Sequence, residues 1–187
     1  MSKDVFENGI QVDLMMMLDA REQRSHTQRQ LFASQPKANL LSATMNIPGP
    51  IKTSPILREV FEQVLDAVHA HPKLVAATFI SKFYREKATG PEYYLLVDLP
   101  AKELKEAMVE IEQTHPLGRL LDLDVIYFDE TEQLHGISRS DLNMPTRACL
   151  ICDDDAKACG RSRKHSVAGM QAAITQLIEN ERENLND

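Results

Sequence analysis

The stretch Gly118-Arg119-Leu120-Leu121-Asp122-Leu123-Asp124-Val125-Ile126 alternates apolar and charged residues with a period of two. Side chains alternate faces along a strand, so this pattern predicts a strand from Leu120 to Phe128, with Leu121, Leu123 and Val125 on a core face. Asp122 and Asp124 then stand together on the other face. Their Cα atoms are ~6–7 Å apart at the rise of a strand, near enough for both carboxylates to grip one or two hard cations. Two charges on an otherwise apolar strand are costly unless positive charge compensates them. A Mg2+ ion carrying phosphate oxygens would do so, and many nucleotidyltransferases hold the metal that activates an attacking hydroxyl on such an Asp-x-Asp strand. The competing reading is an edge strand with solvated aspartates.

Upstream of this strand, Leu104, Ala107, Met108 and Ile111 mark one face of a helix from Ala101 to Thr114. Before it, Leu74–Tyr84 and Tyr93–Val97 are rich in β-branched and aromatic residues and read as strands. Glu86–Pro91 reads as the hairpin loop between them. The clearest helical period is Leu57, Val60, Phe61, Val64, Leu65 and Val68, giving a helix from Pro55 to Ala70 that His71-Pro72 ends. Gln35 to Ser54, with Pro36 and Asn46-Ile47-Pro48-Gly49-Pro50, reads as a loop. A first helix runs from Val12 to Ala33, with Val12, Met16, Ala20, Thr27 and Leu31 on the side turned to the core. Downstream come a polar loop containing Gly136 and a last helix from Val167 to Glu181. Strands and helices in this order predict the α+β class: a mixed sheet flanked by helices, in a single domain over residues 1–187 with a Cys/His-containing segment from about 145.

The chain has 187 residues, 43% hydrophobic, which suffices for a buried core. Its 21 Lys and Arg against 28 Asp and Glu give a net charge of −7. A protein that coats nucleic acid needs a broad basic surface, so that class is excluded, although a local basic pocket for a phosphorylated molecule is not. No apolar run approaches a membrane span, and the N-terminus carries no secretory pattern. Three cysteines do not make a disulfide framework, and the cytoplasm is the expected compartment.

Those cysteines form Cys149-x2-Cys152-x6-Cys159-x5-His165, within seventeen positions. A Cys-x2-Cys hook followed by Cys and His fits a tetrahedral zinc site; small buried side chains with a surface histidine fit as well. Arg139, Arg147, Lys157, Arg161, Arg163 and Lys164 fall within twenty-six residues. Guanidinium forks match phosphate geometry, but Asp153, Asp154 and Asp155 interrupt the run, as in a solvated loop of mixed charge.

The string His115-Pro116-Leu117-Gly118-Arg119-Leu120-Leu121-Asp122-Leu123-Asp124-Val125 resembles the signature of the holo-citrate-lyase acyl-carrier synthases, also called apo-citrate lyase phosphoribosyl-dephospho-CoA transferases. So do Ile137-Ser138-Arg139, Arg147-Ala148-Cys149-Leu150-Ile151-Cys152, Ala156, Cys159, Arg161-Ser162, His165-Ser166, and the loop Asn46–Pro50 with Lys52. Gly169-Met170 departs from that pattern. The resemblance implies transfer of phosphoribosyl-dephospho-CoA from a triphosphoribosyl-dephospho-CoA precursor to a serine of the acyl carrier subunit of citrate lyase, with release of pyrophosphate. Some relatives are fused to the enzyme that makes the precursor, and this chain would be the stand-alone form. Asp122, Asp124 and Arg119 would be catalytic, the aspartates on Mg2+. Lys52, Arg139, Arg147, Arg161 and Arg163 would bind substrate. Asp98, before Pro100, would be a third carboxylate or a helix cap. A nucleotidyltransferase-like sheet would suit this chemistry, but the usual Gly-Ser phosphate loop is absent. The alternative is a non-catalytic zinc module whose basic cluster docks an acidic partner.

Overall fold

The computed structural model describes residues 4–184 other than 130 and 132. The strands are β1 (Asn39–Met45), β2 (Thr78–Arg85), β3 (Glu92–Asp98), β4 (Leu121–Phe128) and β5 (Leu134–Ile137). They form one sheet in the order β2-β3-β1-β4-β5, and every pairing is antiparallel. The helices are α1 (Leu14–Ser34), α2 (Pro55–Ala70), α3 (Pro72–Val75), α4 (Ala101–Thr114), α5 (Ala156–Ser162) and α6 (Val167–Asn184). The class is α+β, as the sequence indicates.

One sheet face is buried under helices. Leu41, Ala43, Tyr93, Leu95, Val97, Leu121, Leu123 and Val125 share a core with the apolar stripes of α2 and α4 and with Ile174 and Ile178 of α6. Ser54 starts α2 by accepting from the Leu57 N–H at 3.1 Å, while its hydroxyl donates to the Val5 carbonyl at 2.6 Å, tying the N-terminal segment to the helix. The other face is covered by the C-terminal half of α1, where Phe32 packs with Leu40, Tyr94 and Leu96 and meets Phe128 edge-on at 4.8 Å.

The structure corrects three expectations. Gln35–Ser54 is not all loop, because it contains β1, the central strand. Leu40 to Ala43 are buried on both faces, so the strand shows no alternation to read. Leu74 lies in the short helix α3, which Pro72 opens, and β2 begins only at Thr78. The polar loop around Gly136 contains the four-residue edge strand β5. The first helix also buries less than its spacing suggests: only Ala20 and Phe32 are buried, and Met16 stands exposed with Leu14, Met15 and Leu18.

His69 of α2 meets the Tyr93 hydroxyl at 3.0 Å and packs beside Phe79. Burial, then the Lys82 charge, lowers its pKa from 6.5 against the opposing pull of Asp66. The unfolded chain therefore takes this proton first as pH falls. His69 contributes stability that is complete above its unfolded pKa and is lost as pH drops through the folded one. The denaturation midpoint should decline less below pH ~6.5 in His69→Gln than in the parent. Parallel declines in both proteins would remove His69 from the acid response.

Candidate active site and metal centre

β4 carries the two aspartates because its period of two is kept in the fold. Leu121, Leu123 and Val125 enter the core, and Asp122 and Asp124 lie opposite, beside Thr44 and Ser42 of β1. The strand's outer edge is half open. β5 pairs with Val125 to Phe128 only, leaving the carbonyls of Leu121 and Leu123 without a strand partner on that side. Side chains take them instead. Arg147 Nη2 donates to the Leu121 carbonyl at 2.8 Å and to the Arg119 carbonyl at 2.7 Å, while Nη1 donates to Asp122 Oδ1 at 2.8 Å. Lys105 Nζ donates to the Leu123 carbonyl at 2.8 Å.

Lys105 is almost fully buried, and burial pulls its pKa down. Asp124 opens on a groove, yet the protein around it raises its pKa. Burial is the largest cause, Asp122 and Glu112 add to it, and Lys105 and Arg147 oppose it. Two carboxylates thus crowd one another on this strand face, Asp122 held by Arg147 and Asp124 desolvated but under the opposing charges of Lys105 and Arg147. Their oxygen-only chemistry suits a hard cation such as Mg2+.

Beyond the Leu121 end of β4 lies a cleft of about 660 Å³. Lys52, Arg119, Arg147 and Arg163 line it together with His165 and Ser166. One rim is the loop Asn46–Pro50, which rests on α6 through Gln171 Nε2 donating to the Pro48 carbonyl at 3.3 Å. Gly49 is required there: its φ is +88°, and a Cβ would stand 2.7 Å from Gln171 Nε2. Lys52 Nζ donates to the Ile47 carbonyl at 2.6 Å and is partly desolvated, which lowers its pKa. Arg119 Nη2 reaches the carbonyls of Ala148 and Cys149 at 2.6 and 2.7 Å. Arg163 closes α5 in the left-handed region, with φ of 51°.

Four cations far apart in sequence thus share one cleft. The other candidates lie elsewhere. Arg139 is paired with buried Glu112 of α4, Arg161 is exposed and does not line the cleft, and Lys164 pairs with Asp154. Asp98 sits at the opposite end of the sheet, beyond the Asn39–Val97 pair, whereas Asp122 and Asp124 face Thr44 and Ser42. It can join neither the aspartate pair nor a cap, since α4 begins with no side-chain cap. Lys105 escapes notice in the sequence. Its signal was the pair Lys105 and Glu112, seven residues apart on one side of an apolar helix stripe and both buried in the fold.

One wall of the cleft is the cysteine segment. Bridging between Ala148 and Asp155, with the Cys149 N–H bonded to the Asp154 carbonyl at 2.7 Å, folds it into a tight loop. Asp155 caps α5 through the Ala158 N–H at 2.8 Å and so sets Cys159 in that helix, and the turn at Arg163 brings the chain back to His165. The ligand atoms of Cys149, Cys152, Cys159 and His165 all lie within 4.8 Å of one another. Cys152 Sγ is 3.6 Å from Cys159 Sγ and 3.2 Å from His165 Nε2. Tetrahedral zinc, with bonds near 2.3 Å, needs sulfur–sulfur separations of about 3.8 Å. Burial pushes the Cys149 thiol up, but hydrogen bonds from the N–H groups of Ile151 and Cys152 and with the Cys159 and Cys152 thiols together outweigh it and bring its pKa down to about 6. The spacing read from sequence therefore does gather a closed Cys3His set able to hold a metal ion.

The sequence profile of the apo-citrate lyase phosphoribosyl-dephospho-CoA transferases matches residues 12–181. The chain belongs to this family. A relative from Streptococcus pyogenes serotype M3, described as a probable apo-citrate lyase phosphoribosyl-dephospho-CoA transferase, is 45% identical over 95% of this chain and 91% of its own length. One from Citrobacter koseri, described as an apo-citrate lyase phosphoribosyl-dephospho-CoA transferase, is 32% identical over 89% of this chain and 86% of its own. Protein CitXG of Leuconostoc mesenteroides is 38% identical over 95% of this chain, which spans 37% of that longer protein. No described helix of this family member is long and apolar enough to cross a membrane.

Proposed function

We propose that the chain transfers phosphoribosyl-dephospho-CoA from triphosphoribosyl-dephospho-CoA to a serine of the apo acyl carrier subunit of citrate lyase, by nucleotidyltransferase-type chemistry in the cytoplasm. The observation that carries this reading is the junction of Asp122 and Asp124 with a cleft lined by Lys52, Arg119, Arg147 and Arg163. In the reaction the seryl oxygen bonds to the phosphorus next to the ribose. The bond from that phosphorus to the outer phosphates breaks, pyrophosphate leaves, and the seryl proton is lost. Negative charge gathers on the leaving pyrophosphate, and the four cations lining the cleft would offset it. Asp122 and Asp124 fit Mg2+, which when bound lowers the pKa of the hydroxyl and neutralises phosphoryl oxygens. Asp124, to which Arg147 makes no hydrogen bond, would accept the seryl proton.

The second metal is zinc in the Cys3His set. Four protein ligands leave no open position, so its role is to shape the cleft wall, and no reaction step passes through it. The binding partners are the carrier subunit and the precursor, with no nucleic acid.

The test is mass spectrometry of the apo carrier after incubation with this protein, the precursor and Mg2+. The expected result is a mass increase of one prosthetic group on a serine, with release of one pyrophosphate. An unmodified carrier under these conditions would sink the assignment.

A further inference from the structure

A second cavity, of about 840 Å³, lies between α1 and the strands β4 and β5 on the sheet face that bears the aspartates. Ser25, Gln28 and Arg29 of α1 form one side, and Asp124 and His135 are on the other. The two cavities meet the aspartate pair from opposite ends. Leu120 lines the cleft, Asp122 is bonded to Arg147 of the cleft, and Asp124, two residues on, lines the groove. The pair therefore spans the ~6–7 Å between them along β4.

In-line displacement places the attacking and leaving oxygens on opposite sides of the phosphorus. The four cations select the cleft for the polyphosphate, which leaves the groove for the attacking side. Its own chemistry agrees. Arg29 is its one guanidinium, and among the described residues it has no ion-pair partner. His135 is already held by Asp129 at 2.8 Å. Gln28 is tethered to the sheet through Ser42 Oγ at 3.2 Å, so the α1 side of the groove is fixed. β5 ends the sheet, and among the described residues no further strand closes that side.

On the reading of a transferase given above, we propose that the groove between α1 and β5 seats the seryl-bearing segment of the acceptor protein, with Arg29 as a docking cation. The acceptor thus enters from the side away from the late basic cluster, and Asp124 is the carboxylate it meets first.

The experiment measures both Michaelis constants, and separately the affinity of the apo carrier for the enzyme without precursor. Arg29→Glu should raise the KM for the carrier about tenfold and weaken carrier binding to match, with the KM for the precursor within about twofold of the parent. Arg163→Glu should show the reverse split. Arg29→Ala, a milder change at an exposed position, should move carrier binding in the same direction. A rise in the precursor KM for Arg29→Glu, or carrier binding unchanged in both Arg29 variants, would overturn the placement. The binding measurement needs no turnover. Absence of transfer in the parent would therefore overturn the proposed reaction, while the groove is judged on the carrier affinity alone.

Discussion

Asp122→Asn and Asp124→Asn should each lower kcat by at least ~10²-fold while leaving the fold intact, the scale of losing one strong electrostatic contributor in a transition state. Asparagine keeps the shape of each side chain and removes its charge. If the pair holds Mg2+, the loss falls on charge that develops during transfer, and so on kcat. The two variants should still differ. Asp122 accepts from Arg147, which also lines the cleft, so its substitution releases that guanidinium and should raise the KM for the precursor as well. Asp124 has no such tie and should leave the KM for the precursor unchanged. Stability should change little. The Asp122–Arg147 pair is partly exposed and contributes under about 1 kcal/mol, and removing either aspartate relieves like-charge repulsion along the strand. Initial rates at saturating precursor, carrier and Mg2+, with a thermal melt of each variant, check this. Near-normal rates for both would return the aspartates to solvated strand residues and take the chemistry off β4.

What the sequence allows to be read follows from how local each signal is. α2 and α4 have the bounds their apolar stripes indicate, because a helix stripe repeats within a few residues and one face meets the core. β4 is legible for the same reason: period two needs only neighbours. The Cys3His set closes as its spacing suggests, since all four ligands fall in one short segment whose turns are fixed by Asp155 and Arg163. β1 is not legible. Leu40 to Ala43 are buried on both faces, and the prolines that flank the strand dominate any local reading. β5 is four residues at an edge and carries almost no pattern. The cleft is the hardest part. Nothing local to Lys52, Arg119, Arg147 or Arg163 says that they converge; the sheet order brings them together, and only the family resemblance joined them beforehand. Lys105 is hidden for a related reason, because a buried lysine explains itself only once the open edge of β4 is seen.

Zinc should accompany the purified protein at about one ion per chain without added metal, and its loss should cost both stability and precursor binding. Cys149 and Cys159 are buried and could be explained as small packed side chains, but Cys152 and His165 are half exposed. On a packing reading Cys152→Ser is nearly neutral, within about 0.5 kcal/mol. On the zinc reading it removes one of four ligands. In a chain of this size each kcal/mol shifts Tm by about 2–4 °C, so a fall of at least ~5 °C is expected, with loss of bound zinc. The effect should reach the cleft, because Arg119 is held by the carbonyls of Ala148 and Cys149, and Cys149 is itself a ligand. The KM for the precursor should therefore rise in Cys152→Ser by more than the KM for the carrier. Elemental analysis, thiol titration of the native protein and a melt of parent and variant decide the matter. A metal-free parent with freely titratable thiols and an unchanged Tm in Cys152→Ser would leave three packed cysteines and no metal centre. Zinc present, with the precursor KM unmoved in the variant, would confine the metal to folding and separate the wall it builds from the cations that line the cleft.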